Sequence, residues 1–134
     1  MDTNERRALL QTAPNPDETL DYLSGLEGSI LIFDKADPTV IAIRYIPDRQ
    51  IVDPPAFGRY LVGLSGLPWQ TLEELATTVL GDLSNQLVAR WVRVAVTAPK
   101  MAYPGIGAHA VVVEDLQPGW NNPSLLLRLE ALRD

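Results

Sequence analysis

The sequence predicts an α+β fold in which a four-stranded antiparallel sheet is covered by two helices. Three observations lead to this prediction. Two apolar, β-branched segments come first, two segments with apolar residues at helical spacing follow, and two more strand-like segments come last. This order, β-β-α-α-β-β, is typical of α+β proteins with antiparallel sheets.

The first two predicted strands form a hairpin. Residues 29–33 are a short apolar run, and residues 39–46 are apolar and β-branched. The connection between them contains Asp37 and Pro38, which are common turn residues. Both strands carry apolar residues on both faces, so we expect something to cover each face of the sheet.

Two helices with clear start signals follow the hairpin. Asp53 before Pro54 predicts an N-cap and a first helical position. Thr71 and Glu74 form a capping box that opens the second helix. The second helix carries the most regular apolar pattern in the chain, which consists of Leu72, Leu75, Ala76, Val79, Leu80, Leu83 and Leu87.

The remaining segments complete one domain, predicted over residues 21–134. Residues 91–96 and 109–113 read as strands, and the glycine- and proline-rich segment 99–107 reads as the loop between them. Residues 1–20 read as a lead-in with a short helix over 4–10. A last short helix is expected to start at Asn122 and run through Leu132.

Composition excludes several classes of function. The net charge of −6 disfavours nucleic acid as a partner, because phosphate binding needs a basic surface. The chain has no cysteine and one histidine, so we expect no thiolate chemistry and no metal site. No apolar run is long enough to span a membrane, and the N-terminus lacks a signal-peptide pattern, so we expect a cytoplasmic protein.

Three short segments carry a resemblance to a known family. Residues 44–52 read RYIPDRQIV, residues 81–83 read GDL, and residues 90–94 read RWVRV. These segments resemble the 7-cyano-7-deazaguanine (nitrile) reductases, a queuosine-related family with the tunnelling fold. The similarity extends over roughly residues 28–98. It implies a tunnelling fold, a homo-oligomer in which several subunits close their sheets into a barrel, and a site for a purine-, deazapurine- or pterin-like ring.

The same resemblance implies that the family's own reaction is absent. Its cysteine nucleophile falls on Ile30, and its aspartate falls on Asp37. Its lysine-containing cofactor segment corresponds to residues 53–58, which include Pro54 and Pro55 and contain no lysine. Without a thiol and these lysines, neither nitrile reduction nor binding of NADPH is expected, and no other cofactor is indicated.

The candidate site residues are four. The resemblance places the family's ring-binding glutamate at Glu73, with Glu74 as the other choice; helix capping alone explains Glu74, and Glu73 is otherwise a solvated carboxylate. Asp37 and His109 are weak candidates for acid–base catalysis. The simpler interpretations are a turn residue and a structural histidine. Arg90 and Arg93 are expected to face solvent or a neighbouring subunit.

Three functional hypotheses therefore stand. The first is a divergent homologue that binds a heteroaromatic ring and does not reduce nitriles. The second is a structural or interaction oligomer that has lost the pocket. The third is an enzyme whose rebuilt site uses Asp37, Glu73 or His109 as acid or base, and it requires a second titratable group within hydrogen-bond reach.

Overall fold

A four-stranded antiparallel sheet forms the centre of the molecule. The computed structural model describes residues 1–129. The elements in chain order are α1 (Thr3–Leu9), β1 (Thr12–Pro14), β2 (Ser24–Ile30), β3 (Thr39–Ile46), β4 (Gln50–Val52), α2 (Pro54–Ser65), α3 (Leu72–Leu87), β5 (Trp91–Thr97), β6 (Ala110–Leu116) and α4 (Pro123–Leu126). The large sheet has the order β2-β3-β5-β6, and each pair is antiparallel. The predicted fold class is confirmed.

Helices α2 and α3 cover one face of this sheet and enclose the core. Alternate strand residues such as Ile41, Ile43 and Val94 point toward the helices and are fully buried. Both predicted helix starts are confirmed, because the side chain of Asp53 accepts a hydrogen bond from the Ala56 amide and that of Thr71 accepts one from the Glu74 amide. These caps fix where α3 begins, next to the candidate site.

The first strand of the sheet was predicted at the wrong residues: β2 spans Ser24–Ile30, and the prediction was residues 29–33. β2 ends at Ile30, and Phe33 and Asp34 adopt left-handed backbone conformations with φ of 58° and 54° in the connection to β3. The true strand includes Gly25, Glu27 and Gly28, residue types with poor strand propensity. β2 is an edge strand with only one covered face, so its sequence needs to be apolar at alternate positions only.

Residues 1–20 pack on this unit rather than merely leading into it. α1 forms as predicted, with Asp2 and Glu5 in a reciprocal capping box. A second pair of strands, β1 with β4, was not predicted, because each strand has only three residues and β1 contains Pro14. Leu10, which lies between α1 and β1, is 1% exposed, so this segment contributes to the core.

The sequence had suggested that Arg90 faces solvent or a neighbouring subunit, but in the structure its side chain is bound within the chain. Its guanidinium lies 2.8 Å from an Asp21 oxygen and 3.3 Å from an Asp48 oxygen, and it also donates to the backbone carbonyls of Glu18 and Leu20. It therefore joins the segment before β2 to the start of β5.

The second face of the sheet is covered at one end only. The segment after β6 returns over Trp91, which is 1% exposed, and places α4 there with Asn122 as its N-cap. α4 ends at Leu126, before the predicted end at Leu132, and residues 130–132 lie outside the described residues. The β6 residues on this face remain partly open: Val112 is 55% exposed, and Leu116, the strand partner of Trp91, is 48% exposed.

Candidate functional site

The start of α3 and the start of β6 bring together two residues that the sequence had singled out. Glu73 lies in the first turn of α3, and His109 directly precedes β6. A carboxylate oxygen of Glu73 is 4.0 Å from His109 Nε2, with side chains 65% and 34% exposed respectively. This distance permits attraction to a protonated imidazole and exceeds that of a hydrogen bond.

Two further side chains extend this pair. The ring of Tyr103 packs edge-on against His109, with centroids 6.3 Å apart. The ammonium of Lys35 lies 4.9 Å from the centre of the Tyr103 ring, in the geometry of a cation–π contact. Glu73, His109, Tyr103 and Lys35 thus form a continuous row, contributed by α3, the β5–β6 connection and the β2–β3 connection.

Glu74, unlike Glu73, caps the start of α3. One of its carboxylate oxygens accepts a hydrogen bond from the Gln70 amide at 2.9 Å, and its own amide donates to Thr71 Oγ1 at 3.0 Å. Both contacts satisfy backbone amides at the start of α3 that have no partner within the helix. Glu73 has no such role, so its carboxylate is available to a ligand.

Ile30 and Asp37 do not join this row. The side chain of Ile30 is 6% exposed at the end of β2 and belongs to the hydrophobic core. Asp37 is exposed in the connection between β2 and β3, and within residues 1–129 its carboxylate has no hydrogen-bond or ion-pair partner. No side chain of the described residues therefore orients the Asp37 carboxylate for acid–base chemistry.

A cleft of about 420 Å³ lies beside the row. The β2–β3 connection forms one wall and the turn between α2 and α3 forms the other. The indole of Trp69 is fixed in this turn by a 2.7 Å hydrogen bond from Nε1 to the Leu64 carbonyl. The lining residues are Leu31, Ile32, Phe33, Asp34, Lys35, Ser65, Leu67, Pro68 and Trp69. Lys35 belongs to both the cleft and the row.

The arrangement offers recognition chemistry: an acceptor at Glu73, an imidazole at His109, an aromatic face at Tyr103 and a cation at Lys35. The third functional hypothesis needs a partner within hydrogen-bond reach of the acid or base, and the 4.0 Å separation of Glu73 and His109 does not supply one in this structure. Among residues 1–129, no cluster of three or more acidic or histidine side chains could hold a metal ion.

Sequence reasoning missed Lys35 and Tyr103. Neither belongs to a motif, and each becomes informative only when two loops that are distant in sequence meet. The available signal was weak: an aromatic residue at the tip of a glycine- and proline-rich loop, shortly before the histidine.

Comparisons with known proteins locate this architecture among solved structures. No protein family and no curated protein matches the sequence. The archaeosine synthase QueF-Like in its apo form superposes with a TM-score of 0.54 and 22% identity, over 69% of this chain and 90% of that one. A protein assigned as a dihydroneopterin aldolase (FolB) from Vibrio cholerae gives 0.50 and 16%, over 73% of this chain and 99% of that one.

The chain has the tunnelling fold. The similarity of these two structures supports it. The resemblance of three short sequence segments had implied this fold, and the order of the elements had predicted its α+β class. At these identities the similarity establishes the fold, and the site must be argued from the chain's own residues. Within residues 1–129, no helix is long and apolar enough to cross a membrane.

Proposed function

We propose that this chain binds a planar nitrogen heterocycle of the purine, deazapurine or pterin type, with Glu73 as its main polar anchor. The supporting observation is the carboxylate of Glu73, which is 65% exposed, takes no part in capping α3 and stands next to His109. The names of both similar structures, an archaeosine synthase and a dihydroneopterin aldolase, refer to compounds with nitrogen heterocycles.

A carboxylate suits this role for a geometric reason. The amidine-like edge of a guanine or pterin presents two parallel N–H donors, and a carboxylate offers two acceptors at matching spacing. The first turn of a helix also holds the carboxylate in place, because the helix dipole favours negative charge there. Tyr103, packed on His109, adds an aromatic face at the same place.

The proposed site is completed at a boundary between subunits. Within residues 1–129, each outer strand of the sheet, β2 and β6, has one edge without a strand partner. The exposed residues Val112 and Leu116 lie on the uncovered face of β6. Edges of this kind are usually paired or protected, because they otherwise promote aggregation. A homo-oligomer would pair these edges and enclose the ring site.

Nitrile reduction is not part of the proposed function. A thioimide needs a cysteine thiolate with access to the substrate, and the corresponding position is Ile30, which is 6% exposed. Pro54 and Pro55 form the first turn of α2, where the nitrile reductases carry part of their cofactor segment. We expect no consumption of NADPH with 7-cyano-7-deazaguanine, measured at 340 nm. Turnover that depends on the nitrile would contradict this part.

A thermal-unfolding screen tests ring binding, because a ligand of the native state raises the melting temperature. The probes are guanine, 7-deazaguanine, 7-cyano-7-deazaguanine and pterin. At least one should raise the melting temperature of the natural protein and have little effect on Glu73→Gln. If none of them shifts it, ring binding by this site is refuted.

A matched control removes one negative charge from the opposite end of the sheet. Glu18 is exposed, and its backbone carbonyl accepts a hydrogen bond from Arg90, just before β5. His109 lies beyond the other end of β5, where its carbonyl accepts a hydrogen bond from the Ala98 amide. At the rise of a β-strand, Arg90 and Ala98 are roughly 25 Å apart. Glu18→Gln should therefore keep the ligand-induced shift.

A structural or interaction oligomer without a ligand is the second candidate. The observation in its favour is the partly uncovered apolar face that carries Val112 and Leu116. Both candidates predict an oligomer. Only the first predicts that a heterocycle raises the melting temperature in the thermal-unfolding screen. A stable oligomer with no ligand response would favour this second candidate.

A further inference from the structure

We propose that the cleft beside the ring site binds an anionic group of the ligand, with Lys35 as its counter-ion. The ligand would then be a heterocycle that carries a phosphate-type substituent: its ring contacts Glu73, and its anionic end lies in the cleft of about 420 Å³. This assignment rests on the ring site proposed above for the placement of the ring, and on separate residues for the placement of the anion.

The state of Lys35 is the first reason. It is half-buried, and within residues 1–129 no carboxylate lies within ion-pair distance of its ammonium. The contact identified for it is with the face of Tyr103, 4.9 Å away. A cation–π contact compensates only part of the lost hydration of an ammonium. An oxyanion in the cleft would supply the missing hydrogen-bond acceptors.

A half-buried lysine without an acidic partner, such as Lys35, is unusual in a chain with this net charge. The net charge is −6, and the chain contains only two lysines, Lys35 and Lys100. Several arginines have acidic partners: Arg6 and Arg7 contact Asp82, Arg90 contacts Asp21 and Asp48, and Arg93 contacts Glu114. Asp34 also lines the cleft, but it is exposed and its carboxylate is not within ion-pair distance of Lys35. In an acidic protein, a half-buried cation without a carboxylate at that distance favours an anion from solution.

The shape of the cleft is the second reason. Phe33 and Asp34 hold consecutive left-handed conformations, with φ of 58° and 54°, and neither is glycine. Such conformations cost energy and persist only where the surrounding structure imposes them. They turn the connection so that Phe33 and Lys35 line the same cleft as Trp69. Trp69 is itself fixed by its hydrogen bond to the Leu64 carbonyl.

The row of contacts fixes the direction of the ligand. Lys35 touches Tyr103, Tyr103 packs on His109, and His109 approaches Glu73. The site therefore has a negative end, at Glu73, and a positive end, at Lys35, separated by an aromatic surface. A ligand matches this polarity if its N–H donor edge meets Glu73 and its oxyanion meets Lys35.

Protection of the lysines from acetylation tests the anion site without any ring. The natural protein is acetylated in about 10 mM pyrophosphate, or in sodium chloride of the same ionic strength, and each lysine is quantified by mass spectrometry. The concentration is chosen because one charge-assisted contact supports only millimolar affinity. Pyrophosphate should protect Lys35 and leave Lys100, which is exposed, unprotected. Equal acetylation of Lys35 in both salts would overturn the proposal.

A pair of probes that differ only in a phosphate tests the link between the two ends. Guanosine 5′-monophosphate should bind the natural protein at least about tenfold more tightly than guanosine, as expected for one charge-assisted contact. Lys35→Met keeps the apolar stem and removes the charge, so it should abolish this difference. Lys100→Met should preserve it. Equal affinities of the natural protein for both probes would overturn the phosphate assignment.

The outcomes separate the two proposals. Glu73→Gln should weaken guanosine and its monophosphate by the same factor, because it acts on the ring. If Glu73→Gln binds both probes as tightly as the natural protein does, and the monophosphate keeps its advantage over guanosine, the anion site stands and ring binding at Glu73 fails. If neither probe binds, the acetylation result alone decides the anion site: protection of Lys35 supports it, and unchanged acetylation refutes it.

Discussion

At the scale of single residues, Asp82 is the main buried charge. Its side chain is 0% exposed and accepts hydrogen bonds from Arg6 at 2.5 Å and 3.0 Å, from Arg7 at 3.0 Å and from Tyr60 at 2.6 Å. The hydrogen bond to Asp82 raises the pKa of Arg6, against the opposing effect of burial. Burial, followed by the hydrogen bond to Asp82, raises the pKa of Tyr60, which therefore remains a neutral donor.

Replacement of Asp82 should be strongly destabilising. Asp82→Ala leaves two guanidinium groups and a buried hydroxyl without their acceptor, so we expect a loss of about 3 kcal/mol or more in the free energy of unfolding. Urea denaturation measures this value. Arg59→Ala is the control, because Arg59 is 57% exposed and its distance of 4.0 Å from Asp53 makes a weak surface pair. Its loss in the free energy of unfolding should stay below about 1 kcal/mol. Equal losses would mean that the buried network contributes no more than a surface pair.

The sequence showed Asp82 only as part of the GDL segment used in the resemblance. Its position next to Leu83 in α3 gave no sign of a buried charge, because the partners Arg6 and Arg7 lie more than seventy positions away in the chain. Glu73 and His109 were both identified as candidates from the sequence. Their proximity was not foreseen, since it depends on how the start of β6 crosses the start of α3.

At the scale of elements, the packing of β2 on α2 depends on a glycine. A Cβ atom on Gly28 would lie 2.3 Å from Leu61 Cδ1, and Leu61 is itself 6% exposed. Gly28→Ala should therefore destabilise the protein by about 1–3 kcal/mol, the usual cost of overpacking. Gly58 lies in α2 with nothing within 4 Å of its Cβ position, so Gly58→Ala should stabilise by about 0.5–1 kcal/mol. Opposite shifts in melting temperature are expected; a neutral Gly28→Ala would contradict the close packing.

The elements before β2 and after β6 are joined by an acid-sensitive cluster around Arg90. Burial disfavours the charged form of Asp21, but hydrogen bonds from Asn122, Arg90 and Trp120 outweigh it, so the pKa of Asp21 is lowered. The pKa of Asp48 is also lowered, chiefly by the hydrogen bond from Gln117 and then by Arg90. The unfolded chain therefore takes up protons at a higher pH than the folded chain does.

This cluster predicts the direction of the pH dependence. Its contribution is present above the ordinary carboxyl pKa, about 3.9, and is lost as the pH falls through the lower folded values. The free energy of unfolding should therefore decrease below about pH 4. Asp21→Asn should flatten this decrease, and Asp37→Asn, which changes an exposed carboxylate outside the cluster, should not. An unchanged slope in Asp21→Asn would contradict the role of Arg90.

Sequence patterns predicted α2 and α3 well because their caps and their apolar spacing agree. They failed where tertiary contacts determine the structure. β1 and β4 are too short for a periodic signal, β2 is an edge strand that contains glycines, and Arg90 reads as a surface residue until Asp21 and Asp48 are placed beside it. The side chains Lys35 and Tyr103 were missed for the same reason.

At the scale of the whole molecule, residues 1–129 leave sheet edges and apolar surface uncovered. The edges are β2 and β6, and the exposed apolar residues on the uncovered face include Val112 and Leu116. We expect a stable homo-oligomer at micromolar concentration, measured by light scattering coupled to size-exclusion chromatography. A stable monomer under these conditions would contradict the proposed subunit boundary. It would not affect the fold, which rests on the structural similarities.

Assembly can also be perturbed at a chosen position. Val112→Lys and Leu116→Lys place charges on the uncovered face of β6, where charged residues are known to protect edges from pairing. If this face is part of the subunit contact, the double variant should dissociate. An unchanged oligomer would place the contact elsewhere.

The central claim is that the carboxylate of Glu73 anchors a planar heterocycle, and calorimetric titration of the assembled protein tests it most directly. Glu73→Gln preserves size and removes the charge. A contact between a charged acceptor and two donors contributes on the order of 2–3 kcal/mol, so the affinity for whichever heterocycle the screen identifies should fall about 30-fold or more. The melting temperature without ligand should hardly change, because Glu73 is 65% exposed and takes no part in capping. Equal affinity of Glu73→Gln and the natural protein for that heterocycle would contradict the claim.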